Sequence, residues 1–104
     1  MATVTVHAGV CGFVTTITTT SEDGQNVAIS YQTTCPHAEK AKAELTAVDA
    51  YTEIFRKPAE TTVYAVLSKY LVHTACPLYS GFLKAIEVPA SLALPRDVTM
   101  KIEA

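Results

Sequence analysis

The first third of the chain alternates between apolar and polar residues, and this alternation constrains the fold more than any other feature. In TVTVHA, at positions 3–8, the valines fall on one side of an extended backbone and the threonines on the other. FVTTITTT and NVAISYQTT follow, and SEDGQN between them carries an Asp-Gly turn signal. Period-two alternation predicts half-buried strands. We therefore expect three consecutive strands, paired as neighbours and covered on one face.

Helical sequence begins at Pro36. The segment AEKAKAEL consists of strong helix formers. Thr46 and Asp49 suggest a variant capping arrangement that restarts a helix over TAVDAYTEIF. The sequence thus predicts that helices take over from strands at this point.

A third amphipathic segment follows the break at Lys57-Pro58. Its apolar residues recur with helical spacing, at Val63, Val66, Leu67, Tyr70 and Leu71. The β-branched content of TTVYAVL leaves a strand as the alternative there. A last helical segment carries Leu83, Ile86 and Val88, and Pro89 disturbs it.

The C-terminal segment DVTMKIEA alternates again, with Val98, Met100 and Ile102 on one side. We expect it to form a fourth strand beside the first. The predicted order is β-β-β-α-α-α-β, in one α+β domain over residues 1–104. Because each strand has one apolar and one polar face, helices must cover one side of the sheet. The predicted fold is a two-layer sandwich with a four-stranded, mostly antiparallel sheet.

Charge and hydropathy argue against two classes of partner. The net charge is −2, and the eight Lys and Arg residues are scattered, whereas nucleic-acid binding requires a basic patch. No apolar run approaches the roughly 18 residues of a membrane span. The N-terminal MATVTVHAG has neither the basic nor the apolar region of an export signal, so the expected location is cytoplasmic.

Three cysteines, Cys11, Cys35 and Cys76, lie at the ends of predicted elements. Cys35 and Cys76 each precede a proline that opens helical sequence. A helix start carries unpaired N–H groups and partial positive charge, which lower the pKa of a thiol. Strands one and three run parallel if both pair with strand two, so Cys11 and Cys35 should share one sheet edge.

Three thiolates that converge could hold a metal. We therefore predict Cys11, Cys35 and Cys76 as ligands of zinc or an iron–sulfur cluster. His37 and His73 lie close to Cys35 and Cys76 in the sequence and are candidates for a fourth ligand, and His7 is a weaker candidate.

Two other interpretations stay open. One thiol could be reactive, or all three could be inert buried side chains. In the inert case the chain would be an interaction module, as a homodimer through the exposed sheet face or with an unknown protein partner. The sequence leaves open whether the protein is an enzyme.

Three segments, VHAGVCGF, TTCPHAEK and CPLYSGFLKAIEV…LALPRDV, together resemble a small prokaryotic family of unknown function with three such cysteines. That resemblance covers nearly the whole chain and implies one domain with a shared three-cysteine constellation. CPLYSGFLKA is also similar to the Cys-Pro-x-Pro motif of TusA-like sulfur carriers, with Cys76, Pro77 and Lys84 matching and Tyr79 replacing the second proline. This second similarity implies a persulfide on Cys76. The corresponding hypothesis is a sulfur- or thiol-transfer protein that uses Cys76, with Cys35 as its partner.

Overall fold

The computed structural model describes residues 1–104 and contains a four-stranded antiparallel sheet with helices. The strands lie side by side in chain order and are β1 (Ala2–His7), β2 (Val14–Thr20), β3 (Asn26–Thr33) and β4 (Ala47–Asp49). The helices are α1 (Pro36–Glu39), α2 (Ala50–Ile54), α3 (Thr62–Leu67) and α4 (Leu78–Glu87), with a 3-10 turn at Pro58–Glu60. The expected α+β class is confirmed.

The alternation seen in the sequence sets which face of the sheet is buried. Val4 of β1 lies opposite Ile17 of β2, and Ile17 lies opposite Tyr31 of β3. Ile17 and Tyr31 are buried and Val4 is half-buried, whereas Thr3 and Ser30 of the adjacent row are exposed. Because residues directly opposite each other share a face, these rows form the floor of the hydrophobic core.

Helix α4 is the main cover over β1 and β2. Phe82 is fully buried and meets the Tyr31 ring edge-on, with 4.9 Å between centroids. Gly81 lies against Val6 so closely that a Cβ there would stand 2.6 Å from Val6 Cγ2. At Ala85, four residues after Gly81 in α4, the backbone carbonyl oxygen accepts a hydrogen bond from the Thr19 hydroxyl of β2. The helix therefore runs antiparallel to β1, and its N-terminus lies at the end where β1 finishes.

The expectation that residues 97–104 form the fourth strand is wrong. This segment belongs to no strand, and none of its residues makes a backbone–backbone hydrogen bond. The fourth strand is instead β4, paired to β3, and this changes the predicted order of elements. Alternation reports an extended, two-faced segment but says nothing about a pairing partner. A three-residue strand with one buried side chain, Val48, is too short to leave a period in the sequence.

The helical predictions were confirmed in part. The helix expected over AEKAKAEL is only the four-residue α1, and turns follow over residues 40–44. Helix α3 matches the amphipathic pattern and excludes the strand alternative for that segment. Asp49 is the N-cap of α2, where its carboxylate accepts a hydrogen bond from the Thr52 amide. The helix expected from Thr46 thus starts later, because residues 47–49 pair with β3 first.

Among the helices of this fold, none has both the length and the apolar character needed to cross a membrane.

Candidate thiol site

The first thiol, Cys11, lies at the tip of the loop between β1 and β2. The Gly12 amide donates to the Gly9 carbonyl oxygen, which closes a tight turn around Val10 and Cys11. Both glycines have positive φ, of 90° and 74°, a conformation that residues with a Cβ rarely adopt. The turn leaves Cys11 exposed to solvent.

The second thiol, Cys35, follows β3 and is buried, with 8% of its surface exposed. Its amide donates to the Thr33 hydroxyl at 3.1 Å, and that hydroxyl bonds the Thr15 hydroxyl at 2.7 Å. Next to them, the Val14 amide donates to the Thr34 hydroxyl at 2.9 Å. The end of β3 is therefore tied to the start of β2, which holds the backbone of Cys35 in place.

The third thiol, Cys76, lies just before α4. Its amide donates to the His73 carbonyl oxygen at 3.2 Å, in a turn that leads into the helix. Pro77 occupies the cap position, so Cys76 lies one residue earlier than a capping residue would. The side chain is half-buried and packs against the core.

The topology brings all three thiols to one end of the sandwich. β1 finishes at His7, opposite Val14, and β3 finishes at Thr33, opposite Thr15, so the Cys11 loop and Cys35 share an edge of the sheet. The N-terminus of α4 lies above the same edge. In agreement, the charges of Cys35 and Cys11 both act on the Cys76 thiol.

The helix start does not activate Cys76 as the sequence predicts. Burial raises the pKa of the Cys76 thiol above its usual range, and the like charges of Cys35 and Cys11 raise it further. The Leu78 amide, which faces the sulfur, lowers the pKa but is outweighed. The expectation of a lowered pKa is therefore wrong for this thiol, because desolvation and like charge exceed the effect of one turn of helix amides. At neutral pH Cys76 carries its proton.

Two tyrosines stack near the start of α4, close to the segment that holds Cys76. The rings of Tyr64 and Tyr79 stack with 4.5 Å between centroids. Burial raises the pKa of the Tyr79 hydroxyl, and the charges of Cys76 and Tyr64 raise it further. The sequence carries no local signal for this pair, because the contact joins Tyr64 of α3 to Tyr79 of α4.

The candidate histidines lie in the segments that hold Cys35 and Cys76. His37 is half-buried within α1, and His73 is exposed in the turn before Cys76. No group of three or more His, Cys, Asp or Glu side chains is arranged to hold a metal ion in this structure. The thiols therefore form a loose cluster, and their ligation of a metal stays a prediction.

The fold and the site together define a small α+β sandwich with three free thiols gathered at one end. The chain belongs to a family of unknown function (DUF6951), whose family model matches residues 2–102. This match confirms the first resemblance noted in the sequence. No curated protein and no solved structure matches the chain, and the similarity to TusA-like sulfur carriers is not shown.

Proposed function

We propose that the chain is a small metal-binding domain in which Cys11, Cys35 and Cys76 bind one zinc ion or iron–sulfur cluster. The observation that supports this most is the topology, which brings the Cys11 loop after β1, Cys35 after β3 and Cys76 before α4 to one end of the sandwich. Three thiolates brought together repel one another. A soft cation among them offsets that repulsion, and thiolate is its preferred ligand.

Metal binding requires the thiols to move closer together than they are without metal. The Cys11 turn is the segment best suited to this movement. It is exposed, and nothing lies within 4 Å of the position a Cβ would take at Gly9 or Gly12. Cys35, by contrast, is buried and its backbone is tied to β2. The loop would thus bring Cys11 toward Cys35, whose backbone is held by the sheet.

The same proposal predicts how affinity depends on pH. Cys76 must lose its proton to ligate a metal, and its raised pKa makes that loss costly at neutral pH. Metal affinity should therefore rise as the pH is raised and fall as it is lowered. His37 or His73 would supply a fourth nitrogen ligand, which zinc accepts alongside three sulfurs.

A sulfur carrier that uses Cys76 receives less support. The similarity to TusA-like carriers is not shown, and Tyr79 stands where their motif has its second proline. The remaining alternative is that the three thiols are inert, and a titration with Co²⁺ distinguishes it from metal binding.

The test is an anaerobic titration of reduced protein with Co²⁺, which serves as a spectroscopic substitute for zinc. We expect one equivalent to bind with sulfur-to-cobalt charge-transfer absorbance. Cys11→Ser, Cys35→Ser and Cys76→Ser should each abolish most of that absorbance. Ser80→Ala, at an exposed position of α4, is the matched control and should leave it unchanged. A parallel reconstitution with iron and sulfide tests for a cluster.

Two results would count against the proposal. One is the absence of charge-transfer absorbance with Co²⁺ together with no visible chromophore after reconstitution. The other is binding that survives all three serine substitutions. If cobalt binds as expected, His37→Ala and His73→Ala identify the fourth ligand. Loss of a nitrogen ligand should shift the cobalt d–d bands and leave the sulfur-to-cobalt charge-transfer absorbance in place.

A further inference from the structure

Strand β1 is an edge strand with an unpaired outer side. The Ala8 amide donates to the Phe13 carbonyl oxygen across the β1–β2 hairpin. Backbone direction alternates along a strand, so the even-numbered residues of β1 also face β2. The backbone N–H and C=O groups of Thr3, Thr5 and His7 therefore point away from the sheet. A row of unpaired groups of this kind is a template for another strand.

The C-terminal segment from Asp97 to Glu103 belongs to no helix or strand and makes no backbone–backbone hydrogen bond. Val98, Met100 and Ile102 are 65%, 74% and 91% exposed. Lys101 forms an ion pair with Glu103 at 2.9 Å, and such an i, i+2 contact places both side chains on the same side of an extended backbone. The segment thus has the two-faced pattern of a half-buried strand, with its apolar side in water.

The faces of these two segments match. In β1, Val4 and Val6 face the helix layer and are only half-buried, while the threonines face solvent. If a strand pairs with this edge so that Met100 lies on the same face as Val4 and Val6, its apolar side chains extend the buried face of the sheet by one strand. Its polar residues, including Lys101, would then join the solvent face. Neighbouring residues on paired strands share a face, so one register satisfies both sides.

We propose that residues 97–103 of one copy add as a fifth strand to the free edge of β1 of a second copy, and that the exchange is reciprocal. The result is a two-fold symmetric dimer held by strand addition. It provides backbone partners for both unpaired segments and covers the apolar side of the tail. The proposal rests on the edge and the tail alone and is independent of metal binding.

A second copy is the occupant favoured by the chain itself. Within one molecule the tail makes no ladder with its own β1. After α4, the Ser91 amide donates to the Val88 carbonyl oxygen and the Leu92 amide to that of Glu87, in a tight turn with Ser91 at positive φ. Beyond this turn, residues 94–104 are all exposed. In a reciprocal dimer each C-terminal segment pairs with the β1 edge of the other copy, so no segment and no edge stays unpaired.

The test measures molar mass by light scattering after size-exclusion chromatography over a range of protein concentrations. Wild type should be a dimer. Met100→Lys places a charge on the apolar side of the tail and should weaken dimerisation by roughly tenfold or more. Thr99→Lys adds the same charge on the opposite side and should leave the dimer intact. The tail contributes no packing to the monomer, so neither substitution should unfold it.

The receiving edge is tested separately with Thr5→Pro, which removes one outward N–H at a position where an edge strand tolerates proline. It should yield monomers, whereas Thr5→Ala should dimerise. Mixing the Met100→Lys and Thr5→Pro proteins should restore a one-armed dimer, because one intact tail meets one intact edge. A wild-type monomer at every concentration, or a dimer that withstands Met100→Lys, would overturn the proposal.

Discussion

At the scale of single residues, Glu53 is a buried carboxylate with a structural role. It is 2% exposed, and its two oxygens accept hydrogen bonds from the Thr62 and Val63 amides at 2.9 and 2.7 Å. These are first-turn N–H groups of α3, which have no partner within the helix. The Thr61 hydroxyl accepts from the Tyr64 amide in the same turn. One side chain from α2 thereby fixes where α3 begins.

Replacing Glu53 should therefore destabilise the fold. Glu53→Ala leaves two amides without partners and should lower the free energy of unfolding by about 3 kcal/mol. Chemical denaturation followed by circular dichroism measures this change. Glu22→Ala, at an exposed carboxylate, is the control and should change stability by less than about 0.5 kcal/mol. Equal effects of the two substitutions would contradict the assigned role.

Tyr31 gives a prediction about alkaline pH. Its hydroxyl donates to the Ala38 carbonyl oxygen at 2.8 Å, and burial, aided by the charge of Glu39, raises the pKa of Tyr31 to about 12. The folded protein holds this proton more tightly than the unfolded chain, whose tyrosine has a pKa of 10.0. The stability that Tyr31 contributes is thus complete below pH 10 and declines as the pH rises toward 12.

The measurement compares wild type with Tyr31→Phe by denaturant unfolding between pH 9 and 12. The stability advantage of wild type should shrink as the pH rises, because Phe cannot ionise. Parallel pH profiles for the two proteins would show that Tyr31 does not contribute to the alkaline transition.

At the scale of elements, the contact between α4 and β1 depends on a missing side chain. A Cβ at Gly81 would collide with Val6 Cγ2. Valine is stiff at χ1 and cannot easily swing the methyl away. Gly81→Ala should therefore destabilise the fold by about 1–3 kcal/mol, even though alanine favours helix by about 1 kcal/mol.

A double-mutant cycle separates this clash from other effects. In the Val6→Ala background the obstructing methyl is absent, so Gly81→Ala should be neutral or stabilising there. Ser80→Ala on the exposed side of α4 should behave alike in both backgrounds. If Gly81→Ala lowers the free energy of unfolding equally in the Val6→Ala background, the contact with the Val6 methyl is not the cause of the destabilisation.

The helices and strands also show which parts of the fold can be predicted from the sequence. The alternation around Val4, Ile17 and Ile29 correctly predicted three strands and the buried face, because a half-covered sheet imposes a period of two. The helical spacing of Val63, Val66 and Leu67 predicted α3 in the same way. The tail carried an equally clear alternation without an intramolecular partner, and β4 formed with almost no pattern. Periodicity identifies a face, whereas pairing depends on the distant segments that lie nearby.

The sequence predicted where the candidate thiol site lies in the fold, but it did not predict the pKa of the Cys76 thiol. The edge shared by Cys11 and Cys35 follows from counting antiparallel strands, and both thiols lie at that end. The raised pKa of Cys76 did not follow, since it depends on burial and on charges from two remote segments. The stacked Tyr64 and Tyr79 rings were missed for a similar reason, because their contact joins α3 to α4.

At the scale of the whole molecule, the two ends of the sandwich have different chemistry. The thiols lie where β1 finishes and α4 begins. The opposite end holds the turn from Ser21 to Asn26, where Asp23 accepts hydrogen bonds from the Gln25 and Asn26 amides that lower its pKa. The thiol end carries the proposed metal site, and the turn at the opposite end connects β2 to β3.

The central claim is that three thiols from distant parts of the chain bind one metal centre. The most direct measurement is X-ray absorption at the zinc edge on protein loaded anaerobically with one equivalent of Zn²⁺. The account predicts three sulfur scatterers at about 2.3 Å, completed by one lighter atom. A first shell made only of nitrogen and oxygen, or one with a single sulfur, would contradict it.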